Sequence, residues 1–158
     1  MAYEFDSNDV MAYIHDYCAK NNIYVNVTKL QKLLYCCYGV VLAALDERLT
    51  SEHPQAWEHG PVFPRTFNAI KKQKLSSYGI GFETKCPQEA LSLIKETIKV
   101  FGQYTAGTLS AWTHKPGSPW DLATDGGENL FVRLDDYAIQ KYFREHVWKP
   151  EESTNGNN

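Results

Sequence analysis

From Val10 to Cys18 the apolar side chains Val10, Tyr13, Ile14, Tyr17 and Cys18 recur at three- and four-residue steps, the spacing of one helical face. Ser7, Asn8 and Asp9 stand before them as N-cap residues, so the pattern predicts a first helix over about residues 8–20, ended by Asn21 and Asn22. A second helix starts near Thr28, whose spacing to Gln31 matches a capping box, with Asn26 as the competing cap. From Leu30 through Leu45 it is apolar on nearly every side. A helix without a polar face is packed on several sides, so this one is read as the hub of the core.

Asp46-Glu47-Arg48 closes the hub, and residues 48–62 hold Pro54, Gly60 and Pro61 around Gln55-Ala56-Trp57, which predicts a small β-hairpin or an ordered loop. Pro64 suits the first turn of a short helix carrying Phe67 and Ile70. Lys71, Lys72 and Lys74 follow as a local basic cluster, and Ser76 to Phe82, with two glycines, reads as a surface loop. Leu91, Ile94, Ile98 and Phe101 form the clearest stripe, opened by Pro87 and stopped by Gly102. Thr105 caps a helix with Leu109 and Trp112. Ser118-Pro119-Trp120 restarts helical structure, and Asp135 caps a last helix bearing Ala138, Ile139, Tyr142, Phe143 and Val147. The expected architecture is mainly α: a compact single-domain bundle of about six helices over residues 1–148, with one small β element. Lys149 to Asn158 has almost no apolar content and is expected to be a disordered tail.

Composition narrows the function classes. With 43% hydrophobic residues in 158, including ten tyrosines, seven phenylalanines and four tryptophans, the chain can bury one core without staples. Sixteen Lys plus Arg against 19 Asp plus Glu give a net charge of -3, which withholds the broad positive field that carries nucleic-acid affinity. Nucleic acid is therefore not an expected partner. The longest uncharged stretch of the apolar centre, Leu33 to Leu45, falls short of the roughly 20 residues that span a bilayer. The acidic start, Met1 to Asp6, lacks the basic and apolar parts of a secretory signal, so a cytoplasmic protein is expected. Cys18, Cys36, Cys37 and Cys86 form no CxxC pair and suit reduced, buried thiols; no metal and no cofactor is expected.

Candidate chemistry is sparse. His15, His53, His59, His114 and His146 form no triad by spacing with Cys36, Cys37 or Ser118. Thiols in the middle of an apolar helix are inert, and Ser118 reads as a helix cap. His59 and His114 lie in loops or helix ends, where each is either a site residue or a structural histidine that pairs its ring nitrogens with loop carbonyls. Trp57 and Trp120 stand beside rigid turns, where a large amphipathic ring either anchors a partner or locks the turn to the core. Lys71, Lys72 and Lys74, near Tyr78 and Phe82, are a solvated helix end or a phosphate-backbone contact.

Three segments carry a resemblance. Thr28-Lys29-Leu30-Gln31-Lys32-Leu33-Leu34-Tyr35 is similar to an LQKLLY helix start. Ala56-Trp57-Glu58-His59-Gly60-Pro61-Val62 is similar to an AW-x-x-GPV segment. Leu109 to Trp120 is similar to L-S-x-x-T-H followed by S-P-W. Together they resemble the Panacea domain, a family of prophage- and operon-associated proteins that includes the SocA-like antitoxins, over nearly the whole chain. His59 stands where the family often has Tyr, and Cys36-Cys37 follows Tyr35 where aromatic or small residues are commoner.

The resemblance implies a non-enzymatic antitoxin of a type II-like toxin-antitoxin system that neutralises a toxin encoded beside it by direct protein contact, as a homo-oligomer or in a toxin-antitoxin hetero-oligomer. The family also includes adaptors that deliver the toxin to a protease, and the residues themselves leave two rivals, a small hydrolase using His59 and His114 and a DNA-binding regulator using Lys71, Lys72 and Lys74. The motif residues divide accordingly. Leu30, Lys32, Leu33, Leu34, Gly60, Pro61, Val62, Leu109, Thr113, Ser118 and Pro119 are assigned to structure. Tyr35, Trp57, His59, His114 and Trp120 are assigned as candidates to touch the partner.

Overall fold

The hub helix α2 (Val27–Leu45) is buried along almost its whole length, and every other layer is laid against it. The computed structural model describes residues 2–150, so all but the first two residues of the expected tail lie outside the described residues. Asn26, not Thr28, caps α2: its side chain accepts from the Lys29 amide at 2.9 Å, which moves the helix start back to Val27. α1 (Ser7–Lys20) is likewise capped one residue before the Ser-Asn-Asp run, by Asp6, and lays Val10, Met11, Ile14 and Cys18 on the hub.

Three helices close the other sides. α5 (Gln88–Phe101) brings the Leu91, Ile94 and Ile98 stripe, all fully or almost fully buried. α6 (Ala106–Thr113), capped by Thr105, brings Leu109. α8 (Asp136–His146), capped by Asp135, brings Ile139 and Phe143. A Cβ added at Gly39 of α2 would lie 2.4 Å from the Phe143 ring, so only glycine lets α8 come this close. α8 also finishes the end of the hub: Gln140 donates to the Leu42 carbonyl at 2.9 Å, which also accepts the Asp46 amide at 3.1 Å, and Arg144 donates to the Ala43 carbonyl at 3.0 Å, an acceptor the end of the helix leaves unpaired. The Tyr38 hydroxyl of the hub donates to Asp136.

The β element is larger than the single hairpin expected from residues 48–62. β1 (Ala2–Phe5) pairs in parallel with β2 (Arg48–Thr50). β3 (Gln55–Trp57) and β4 (Gly60–Val62) form the antiparallel hairpin, with Trp57 opposite Gly60, and β5 (Val132–Arg133) adds a third strand beside β3. α3 (Pro64–Lys71) starts with Pro64, as its sequence suggests. The stretch expected to be a loop instead holds a 3-10 turn over Leu75–Ser77 and the short helix α4 (Phe82–Lys85), which carries the buried Phe82. With α7 (Pro119–Thr124), the described residues hold eight helices and small strands, a mainly α single domain.

Candidate functional site

The three motif segments meet at the β3–β4 hairpin. Gln31 and Lys32 sit in the first turns of the hub, side by side and both about 1% exposed. Gln31 accepts from the Phe63 amide at 2.8 Å and donates to the Thr66 hydroxyl at 2.8 Å; Lys32 donates to the Pro61 carbonyl at 2.8 Å. Two polar side chains in an apolar helix thus hold the backbone that follows the hairpin turn, and they take up groups that burial would otherwise leave unpaired. Burial with one carbonyl acceptor pushes the Lys32 amine down to about 7, because desolvation disfavours the ammonium. Gly60 faces this lysine with φ +115, and a Cβ there would sit 2.6 Å from the Thr113 hydroxyl and 2.7 Å from Lys32 Cε. Pro61 and Val62 are buried behind it.

The third motif closes on the hairpin from the other side. Ser118 caps α7 by accepting from the Asp121 amide at 3.1 Å, while its hydroxyl donates to the Thr113 carbonyl at 2.8 Å. Pro119 in the first turn is buried and carries Trp120 beneath the hairpin, where the indole N–H donates to the Trp57 carbonyl at 2.7 Å. The His114 ring packs edge-on to the Trp120 ring at 4.0 Å. One His114 ring nitrogen faces the Ser110 carbonyl and the other lies 2.9 Å from the Glu58 carbonyl. With a backbone carbonyl facing each ring nitrogen, His114 straps α6 to the hairpin turn.

The five residues assigned to partner contact are not equivalent. Tyr35 is 2% exposed and packs edge-on against Phe143 at 5.4 Å, which makes it a core residue. Trp120, 7% exposed, and His114 form the inner lining of the hairpin. Trp57 and His59 stand on the outer face. The Trp57 ring lies edge-on between Phe67 of α3 at 5.1 Å and Phe131 at 5.7 Å, with its indole N–H on Gln55. His59 is exposed at the turn. Together with the start of α2 these side chains wall a largely apolar groove of about 190 Å³, with Lys32 in its lining.

Phe131 was not anticipated. It is 63% exposed, holds φ +66, and donates its amide to the Ala56 carbonyl at 2.7 Å, so the strand that follows it swings its ring over Trp57. The sequence signal was only an aromatic after the Gly126-Gly127 break.

His59 lines the groove, but His114 does not. Both nitrogens of His114 and the Ser118 hydroxyl are already engaged with backbone carbonyls. Cys36 and Cys37 are fully buried, and burial raises both thiols well above their ordinary values. Among the described residues no group of three His, Cys, Asp or Glu side chains stands close enough to hold a metal ion, and no helix is long and apolar enough to cross a membrane. Lys71, Lys72 and Lys74 are exposed at the end of α3, with the Lys71 amine 5.5 Å from the Phe67 ring centroid.

The chain matches the family model described as antitoxin SocA-like, Panacea domain, over residues 30–121, a span that holds all three segments of the knot except its first two residues. It is 32% identical to antitoxin SocA of Caulobacter vibrioides (strain NA1000 / CB15N), over 88% of this chain and 82% of that protein. No solved structure matches it. By that match and that kinship the chain belongs to the antitoxin SocA-like, Panacea-domain family.

Proposed function

We propose that this protein is a cytoplasmic, non-enzymatic antitoxin that neutralises a toxin encoded beside it by direct binding, as in type II systems, with the hairpin face around Trp57 and His59 as its contact surface. The observation that carries the reading is the division of the motif residues. Those facing inward, Gln31, Lys32, Thr113, Ser118 and Trp120, are spent on holding the hairpin, while Trp57, Phe67 and Phe131 remain stacked at the surface around a groove. Rigid aromatic side chains at a surface suit a protein interface, because little side-chain freedom is lost when a partner covers them. The kinship with antitoxin SocA supports the same reading.

The test is co-expression with the product of the neighbouring gene. Growth arrest by that product is expected to be relieved, and the two proteins are expected to co-purify. A harmless neighbour that leaves nothing bound would overturn the proposal.

A further inference from the structure

We infer that the groove walled by Trp57, Phe67 and Phe131 receives an apolar side chain of the toxin flanked by a carboxylate, with Lys71 at the rim and Lys32 beneath as the cations that select it. This deepens the antitoxin reading and rests on it.

Size decides what kind of occupant fits. At about 190 Å³ the groove is smaller than the roughly 300–1,000 Å³ of sites built for cofactors or metabolites, and it matches a single large side chain entering from a partner surface. The edge-on rings of Phe67, Trp57 and Phe131 supply an apolar wall continuous enough to seat one.

Charge decides what flanks it. Among the described residues Lys32 has no carboxylate within ion-pairing distance; its amine donates to the Pro61 carbonyl, and an ammonium has three donors to place. The Lys71 amine stands over Phe67, which joins the groove to the basic end of α3. Glu58, the one carboxylate in the groove lining, is solvent-exposed, so water and salt screen it more than they screen the buried lysine. An acidic group arriving beside the apolar wall meets the Lys71 amine over Phe67 and favours the protonated form of Lys32.

Phe131 gives the third argument. A bulky residue at φ +66 is a backbone outlier, and this one leaves most of its ring in water. Such strain is not offset by burial within this chain, and a partner that covers the ring would supply the missing apolar contact.

The experiment uses the full chain in complex with the toxin that co-purifies with it. A zero-length carbodiimide joins lysine amines to carboxylates in contact, and the linked peptides are read by mass spectrometry. We expect Lys71 joined to a toxin Asp or Glu. We also expect Phe131→Ala and Lys71→Glu, both at exposed positions, each to weaken toxin binding by about tenfold or more while circular dichroism stays unchanged. A complex that forms with no link from Lys71, or that keeps its affinity within about twofold in Phe131→Ala, overturns the groove assignment and leaves the antitoxin reading standing. If no complex forms with the neighbouring product, both fall.

Discussion

Between pH 7 and 8.5 this protein should gain stability relative to its Lys32→Met variant, because the Lys32 amine is depressed by burial. That amine is held down to about 7 in the folded chain by burial against the Pro61 carbonyl, whereas an unfolded lysine titrates near 10.4. Between those values the unfolded chain binds a proton that the folded chain does not, so the folded state gains as protons are withdrawn. Half the native amines are charged at pH 7 and nearly none at 8.5, so this one group contributes on the order of 1–2 kcal/mol of added stability over that interval. The four buried cysteines are shifted upward and oppose this gain: their unfolded counterparts are half ionised at about pH 8.5, which costs a few tenths of a kcal/mol each there, so the Lys32 contribution is read as the difference from a variant that lacks the amine. His53, held below its ordinary value mainly by burial, adds its own rise with pH at the lower end.

The assay is urea unfolding followed by tryptophan fluorescence at intervals of half a pH unit, in the wild type and in Lys32→Met. The variant keeps the aliphatic stem and removes the titrating amine, so its stability should fall from pH 7 to 8.5 as the unfolded thiols ionise, while the wild type holds level or rises. Wild-type and Lys32→Met stabilities that run parallel over this range would refute the assignment of a depressed amine.

Two further outcomes follow from the same knot. Gly60→Ala should cost about 2–4 kcal/mol in urea unfolding, because it combines a left-handed backbone with a Cβ under 3 Å from Thr113 and Lys32; a loss under about 1 kcal/mol would show that the hairpin yields. Asn26→Ala should lower thermal stability by about 1 kcal/mol while Thr28→Ala changes it by less than about 0.5 kcal/mol, since Asn26 alone accepts the Lys29 amide; the reverse order would return the cap to Thr28.

The helices were legible because their signals are local. The apolar run from Leu30 to Leu45 announced a helix covered on several sides, and Thr105, Ser118 and Asp135 each cap the helix their position implied. The sheets were less so. Ala2–Phe5 is too short to show a strand period, and its pairing with Arg48–Thr50 crosses residues 6–47, a separation that no local pattern records. The two-residue strand Val132–Arg133 is equally silent.

Within the site, Trp57 and His59 could be placed on a turn from Gly60-Pro61 alone. That Tyr35 points into the core rather than outward depends on Gly39 admitting Phe143, a contact across 104 residues. Gln31 and Lys32 carried a signal of a different kind: polar residues where an otherwise apolar helix has no polar face. Such a pair must find buried partners, although which backbone supplied them required the fold.

The close seat of Phe143 against Gly39 has a consequence for how the protein is born. About a hundred residues separate the hub helix from the helix that covers this side of it, and at roughly 5–20 residues per second a ribosome needs on the order of 5–20 s to make them. Throughout that interval the nascent chain displays Tyr35, Gly39 and the open carbonyl of Ala43 without their cover. A message truncated before Asp136 would release a domain with its central helix bare on one side, a ready target for chaperones and proteases.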